Sequence, residues 1–518
     1  MILNTTPMVY AHLTAKHATA ENLTAALCAR LEPIDALDVS QELMLLRGYL
    51  EMPQAPAKSP EQRRVILDKF YIRSFILQRI LLTQLAEAPL PLIGKLRQAQ
   101  RNAQELLKLL ADSLLDLEDS FGKSTNDTRN AGKDLLLWRA LHLISRHLLI
   151  SSLTASPPGA GIWRQLHQVF RTVQELGITE SVPEGEELSL SGIYFAAILL
   201  GCAQPASFSG NEISFLATYL EQYSRQMDWH EDPPEERASF WIDPQHDTPA
   251  TSMQRRLPPP DSRVRHFSCR RLSTLLERQI AQLEAGIPPE SIQLPPYAAS
   301  PAGKSVLRRL MSYWRDPPQR RFPRRKQNYR GRLCTGLDNI SRLLQGESGL
   351  AATSSDWMIT NESPDGYSVM HIAGKTGTVA VGDIAALLTE TGNDWQLCIV
   401  RWVLSGNPEH LEIGLQILSA HALAALLCVP RCTPGKSKCV AAILLPATPP
   451  LRLEETLIIP SGTLSAEDDS LVLVIEKDNI EVREISTVQH AEQNSRIEII
   501  AITPTDRTAT GDFSESPA

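Results

Sequence analysis

The sequence predicts a multidomain α+β protein: a large all-α N-terminal region, then a β-barrel, then a small β-rich C-terminal domain. Three observations carry this. The chain has 518 residues, more than one hydrophobic core ordinarily serves, so several domains are expected. From about residue 20 to 227 the apolar residues recur at helical spacing. Past residue 330 the period changes to two, as a half-buried strand requires.

The helical period is clearest in Ala103, Leu106, Leu107, Leu110, Leu114 and Leu117, the stripe of an amphipathic helix. The longest apolar stretch, Ile193 to Cys202, has ten residues, half of the roughly 20 that cross a bilayer, so it predicts a buried helix and no membrane insertion. No 20-to-50-residue repeat supports a solenoid, which leaves a bundle over residues 1–227. Pro233, Pro234, Pro244, Pro249 and Pro258 to Pro260 then interrupt both helix and central strand. Residues 228–302 are therefore expected to be a proline-rich linker holding one helix, Arg271 to Ala285, stopped by Gly286 and Pro288.

The alternation of Leu411, Ile413, Leu415 and Ile417 with Glu412, Gly414 and Gln416 marks a strand. Trp357 to Thr360, Thr378 to Val381 and Trp395 to Leu404 are further strand candidates at the short intervals of a small barrel. The run AHALAALLC after Leu418 reads as a closing helix, which gives a barrel domain over 303–430. CVAAILLP, LVLVIEK and RIEIIAI place a second small β-domain at 431–503, before a polar tail at 504–518 expected to be disordered.

The formal net charge of −8 argues against a surface built as a whole for nucleic acid. Its distribution says more. Residues 301–332 hold eleven Lys or Arg against one acid, and residues 451–518 hold five against fourteen. The N-terminus MILNTTPMVYAHLTAKH lacks a secretory signal pattern, which predicts a cytoplasmic protein. Eight scattered cysteines read as reduced, mostly buried thiols rather than a disulfide framework.

Within the basic segment, RRFPRRKQNYRGR packs seven cations into the thirteen positions 320–332. Alone, such a run is a solvated face or a nonspecific polyanion contact. The second piece, NESPDG, follows the strand Trp357 to Thr360, with Asn361 and Ser363 as short polar residues and Gly366 permitting a tight turn. In this order, on strands, the two pieces resemble the PilZ-domain family, whose signature is Arg-x-x-x-Arg at the barrel entrance and Asp/Asn-x-Ser-x-x-Gly after an early strand. Arg320 and Arg324 fit the first element, and Asn361, Ser363 and Gly366 fit the second. IVRWV and LEIGLQIL are similar to the family's late strands, so that the resemblance covers about residues 301–430.

The resemblance implies a six-stranded antiparallel barrel that binds cyclic di-GMP as a receptor or effector, with no catalytic residue, cofactor or metal. By that carry-over Arg320 and Arg324 clamp guanine and phosphate, with Arg321 beside them, while Asn361 and Ser363 read a base and Gly366 shapes the loop. The chemistry is suitable: an arginine fork chelates phosphate oxygens or guanine O6 and N7 and also stacks on a purine, which lysine does not do. Arg321 and Arg325 form an alternative Arg-x-x-x-Arg pair. The 37 positions between Arg324 and Asn361 include QGESGLAATSSD, which points to an insertion or an altered early strand.

The helical region is expected to hold a protein partner and to rearrange when the ligand binds. The alternatives are a nonspecific nucleic-acid binder that uses the same arginines and a barrel scaffold without ligand. Other signals are weaker. AGKTG lacks the first glycine of a phosphate loop, and Lys375-Thr376-Gly377 with Ser120 to Lys123 lacks the middle Ser-x-Asn element of the serine penicillin-binding enzymes. Cys428, Cys432, Cys439 and His421 lack zinc spacing, and His230, Asp232, His246 and Asp247 are expected to face solvent.

Overall fold

The computed structural model describes residues 38–51, 59–120, 132–230, 239–260, 264–315, 322–346, 354–374, 379–392, 394–407, 410–429, 438–449, 452–464, 471–476, 480–494 and 496–504. The chain forms a helical domain followed by two closed six-stranded barrels. Among the described residues seven helices come first: α1 (Val39–Glu51), α2 (Pro60–Glu87), α3 (Gly94–Ser120), α4 (Lys133–Leu153), α5 (Ile162–Glu175), α6 (Leu190–Cys202) and α7 (Gly210–Tyr223). The six-residue apolar stripe in α3 is buried along its whole length. Helix α6, apolar on almost every side, is enclosed by the other helices, and its first turn is capped by Ser189, whose Oγ accepts from the Gly192 amide at 3.1 Å. Serine and glutamate at 209 and 212 close a reciprocal capping box at the start of α7. Among the described residues no helix is long and apolar enough to cross a membrane.

The proline-rich stretch is not a linker. Strands β1 (Asp228–His230), β2 (Ser239–Ile242), β3 (Thr251–Ser252) and β4 (Arg265–Ser268) form an antiparallel sheet in the order β1-β4-β2-β3. Its Phe240 and Phe267 rings stack 5.2 Å apart and join the helical core, and Trp229 packs against that core. Pro244, Pro249 and Pro258 to Pro260 occupy the connections, where a missing amide donor costs nothing, and Pro233 and Pro234 lie outside the described residues. Asp247 does not simply face solvent, because it accepts backbone bonds from Gly161 (2.5 Å) and Arg164 (3.1 Å) and so caps α5. Helix α8 (Arg270–Glu284) ends at Gly286 with φ +82°, as its stop signals predict. Helix α9 (Pro301–Arg315) also buries Val306, Leu307, Leu310 and Trp314 in the helical core, so the basic segment starts inside the helical domain rather than inside the barrel.

His142, His147 and His167 are buried among the helices. Burial pushes His147 down to about 4, and His142 and His167 are lowered chiefly for the same reason. Arg146 Nε donates to His142 Nε2 at 3.0 Å, so that nitrogen is the acceptor and Nδ1–H is the donor toward Tyr71 Oη at 2.8 Å. Each ring binds a proton more readily unfolded than folded. The stability this confers is present above the unfolded value of about 6.5 and is lost as pH falls toward 4. The thermal midpoint is expected to drop across that window in calorimetric scans, and less steeply in His147→Gln.

The first barrel closes in the order β10-β7-β6-β5-β8-β9, from β5 (Arg325–Thr335), β6 (Ser355–Ser363), β7 (Gly366–Ala373), β8 (Ile384–Thr389), β9 (Gln396–Asn407) and β10 (His410–Ser419). Leu333, Trp357, Ile359, Val369, Leu387, Val400 and Ile413 fill it. The insertion suggested by the long motif gap contains α10 (Leu337–Leu344), between β5 and β6. Val379 forms only a single bridge to Leu90, and Thr378 lies outside the described residues, so Thr378 to Val381 is not an observed strand.

The run after Leu418 is not a helix. Leu423–Val429 is β11, the first strand of the second barrel, which also contains β12 (Lys438–Leu445), β13 (Thr456–Pro460), β14 (Leu471–Glu476), β15 (Ile480–Gln493) and β16 (Ile497–Pro504), ordered β11-β12-β13-β16-β15-β14. Its alanines and leucines satisfy helix propensity, but pairing with β12 and β14 and burial of Ala425 and Leu427 decide the outcome. Cys428 and Cys439 are opposed in the β11–β12 register and form a disulfide, contrary to the expectation of reduced thiols. Cys432 lies outside the described residues, as does 505–518, most of the expected tail. Among the described residues no cluster of His, Cys, Asp or Glu could hold a metal.

The barrels share a core. On β8 and β9, Ala385, Leu387, Cys398 and Val400 point into the first barrel, while Ile384, Ala386, Leu397 and Ile399 pack with Ile340 of α10 against Ile443, Leu445, Ile458, Ile497 and Ile499 of the second. Both faces of these strands are therefore apolar, unlike the one-sided alternation of β10.

Candidate ligand-binding groove

Strand pairing brings the two motif pieces together. In the β5–β6 ladder Arg325 stands opposite Glu362 and Lys326 opposite Asn361, so the 37-residue separation in sequence closes to one strand spacing and the intervening helix is accommodated outside it. The NESPDG segment is a hairpin. Ser363 pairs with Gly366 around the two-residue turn Pro364-Asp365, and Asn361 pairs with Ser368 two steps back. Ser363 Oγ donates to Asp365 Oδ1 at 2.6 Å, with the Gly366 carbonyl 3.1 Å away, so the hydroxyl proton holds the turn and its lone pairs remain for a ligand. The turn is anchored on β10, where Ile417 N donates to the Asp365 carbonyl at 2.9 Å.

Gly366 is required by crowding rather than by backbone conformation. A Cβ there would lie 2.0 Å from the Leu415 carbonyl oxygen. Gly414 serves a neighbouring purpose, since its missing side chain leaves room for the Trp402 indole, whose Nε1 would be 1.7 Å from a Cβ at 414. The ring thus lies over bare β10 backbone.

These residues line one groove of about 310 Å³, bounded by Phe322, Arg324, Asn361, Ser363, Asp365, Gly366, Tyr367, Ser368, Arg401, Trp402, Gly414, Leu415 and Gln416. Arg324, Asn361, Ser363 and Gly366 are all among them, whereas Arg325 is not. Arg320 and Arg321 lie outside the described residues. The rest of the basic run is on strand β5, where Arg325, Lys326, Arg330 and Arg332 are exposed and Arg332 lies 5.7 Å from the Trp395 ring centroid. Burial, and then the nearby Glu362 carboxylate, pushes the Tyr367 phenol up, so it stays a protonated donor at the groove wall.

Residues 24–235 match the family described as cyclic-di-GMP receptor FimW, N-terminal domain, and residues 351–423 match the middle PilZ domain of that receptor. The first barrel carries a PilZ domain. A curated relative, the cyclic-di-GMP receptor FimW of Pseudomonas aeruginosa, is 21% identical over 401 residues, which cover 62% of this chain and 65% of that protein. The chain therefore spans just under two thirds of the relative it matches. No solved structure matches the chain. The PilZ match starts beyond Arg324, so that arginine belongs with the hairpin on the strength of the groove alone.

Arg401 and Trp402 are part of the PilZ groove and were not singled out from sequence. A β-bulge places them there. Gly414 pairs with Trp402 and Leu415 with Val400, which leaves Arg401 as the extra residue of β9. Val400 and Val403 both point into the barrel, so Arg401 and Trp402 stand side by side outside it. The signal was present in IVRWVL as two polar-edged residues between two core valines, a break in the period of two. Arg401 Nε donates to Gln416 Oε1 at 2.6 Å, and its terminal nitrogens bond Glu492 of the second barrel, one of them at 2.9 Å.

Proposed function

We propose that this chain is a bacterial cyclic di-GMP receptor that binds the dinucleotide in the PilZ groove and passes the event to the domains on either side. The observation that carries this is the convergence of Arg324, Asn361, Ser363 and Gly366 on one groove, joined there by a second arginine and a tryptophan. Arg324 and Arg401 supply planar cations for phosphate or a guanine Hoogsteen edge, Asn361 supplies both a donor and an acceptor, and Trp402 offers a face for a base. A volume of 310 Å³, at the lower end for ligand sites, suits one nucleotide half, and Arg320 or Arg321 is assigned to the part that projects. Arg320 and Arg324 are the preferred pair, because Arg325 stands outside the groove.

Strand β9 is the route proposed for the signal. Leu397 and Ile399 touch the second barrel, Arg401 and Trp402 line the groove, and Ser405 N donates to the Ala155 carbonyl of the helical domain at 2.8 Å. A ligand that favours one arrangement of these contacts shifts the equilibrium between arrangements by its differential affinity. The helical domain would present the output surface to a protein partner, and α2 exposes Val65, Ile72, Phe75 and Ile80. The protein acts as a receptor rather than an enzyme, in the cytoplasm where its ligand is made.

Calorimetric titration of cyclic di-GMP into the full chain tests this. Saturable heat is expected, with a shallow salt dependence suited to a dianion rather than the steep one of a nucleic-acid binder, and a silent titration would remove the proposal. Trp402→Ala is expected to weaken binding by about tenfold, since stacking on an aromatic ring is worth roughly 1–3 kcal/mol per base.

A further inference from the structure

Two arginines line the groove among its described residues, and their situations differ. Arg324 makes no hydrogen bond or ion pair among the described residues, whereas the fork of Arg401 is filled from another domain by Glu492. Both Glu492 oxygens engage, one on each terminal nitrogen, while Gln416 takes Nε. Bulges bring the two residues together from their separate barrels. Arg401 is the extra residue of β9, and β15 has a register shift between His490 and Glu492.

We infer that Glu492 is an internal competitor for the ligand: its carboxylate occupies the Arg401 fork, and a ligand phosphate displaces it. This rests on the cyclic di-GMP reading of the groove. The fork that fits a carboxylate bidentately also fits a phosphate bidentately, so the same two N–H edges serve either anion but not both. A carboxylate left beside a bound phosphate would repel it, and Asp365 already contributes one acid to the groove.

The pair is weak enough to exchange. Its side chains are 39% and 34% exposed, and a pair so placed contributes a factor of about five in affinity at most. The displacement does not separate the barrels, because Ile340, Leu397 and Ile399 remain packed on Ile443, Leu445 and Ile499. What loosens is the β15–β16 turn, which is otherwise tied to the first barrel through Asn494 Nδ2 to the Gly382 carbonyl (3.3 Å) and Arg496 to Asp383 (3.5 Å). Occupancy of the groove is thereby written into the second barrel as a local release.

Cyclic di-GMP is titrated calorimetrically into the full-length wild type, Glu492→Gln and Glu492→Asp, and amide hydrogen exchange is followed over residues 490–498. Glu492→Gln is expected to bind up to about fivefold tighter, with Glu492→Asp between it and wild type. Ligand should speed exchange in the wild-type turn, and leave the already loosened turn of Glu492→Gln unchanged. Binding by Glu492→Gln with none by the wild type would exceed the fivefold limit of so exposed a pair and would overturn the exchange at Arg401 together with the receptor reading of the wild-type chain. If the wild type binds and neither variant binds tighter, Glu492 orients Arg401 or is a bystander, and the competitor is overturned while the receptor stands. If no form binds, both fall together.

Discussion

Arg324→Ala is expected to bind cyclic di-GMP roughly tenfold to a hundredfold more weakly than wild type in a calorimetric titration, with an unchanged thermal midpoint. The magnitude follows from removing a charged hydrogen-bond donor from an anion, a loss of about 1.5–3 kcal/mol. Stability is unaffected because the side chain is exposed and has no ion pair or hydrogen bond among the described residues. Arg324→Lys should recover only part of the affinity, since an ammonium replaces the charge but not the planar fork. Equal affinity in Arg324→Ala and wild type would remove Arg324 from the site and leave Arg401 as the groove's cation.

Gly366→Val should fail differently. Its first added atom would lie 2.0 Å from the Leu415 carbonyl, 3.1 Å from the Leu415 carbonyl carbon and 3.2 Å from the Gln416 Cα. These are backbone atoms of a paired strand, which no rotamer change can move aside. The β7–β10 pairing from Gly366 to Glu412 must open at that end or the hairpin must lift, and the cost is expected to reach about 3 kcal/mol or more. The thermal midpoint and the affinity should then fall together. Loss of affinity with an intact midpoint would instead give Gly366 a direct part in ligand contact.

These two residues mark what could be read before the fold was seen. Residue types and their order gave the arginine and the Asn-x-Ser-x-x-Gly turn, because a two-residue hairpin turn and its flanking strand are local. The same locality made α3, α6 and α8 legible, with their apolar stripes and stop signals. Arg401 was missed because its place in the groove depends on a bulge, and a bulge is set by pairing with β10 rather than by anything within β9. The run after Leu418 was misjudged for a related reason. Alanine and leucine favour helix locally, yet two neighbouring strands claimed the segment. The disulfide between Cys428 and Cys439 likewise follows from register, not from spacing.

The proline-rich stretch shows the same limit. Its composition correctly excluded long helices and central strands, but composition cannot tell a linker from a segment whose few aromatic residues are buried by the rest of the domain. Phe240 and Phe267 are 3% and 0% exposed, and their burial ties residues 228–302 to the helical core.

By itself, then, the sequence determined the helical and β-rich regions, the PilZ resemblance and four residues of the groove, all carried by periodicity or by contacts a few positions apart. The tertiary structure decided where the domains meet, which arginine faces the groove, and that Arg401 is held by Glu492 from 91 positions away. Contacts across such distances depend on how strands from separate barrels are registered and packed, and no local pattern encodes that.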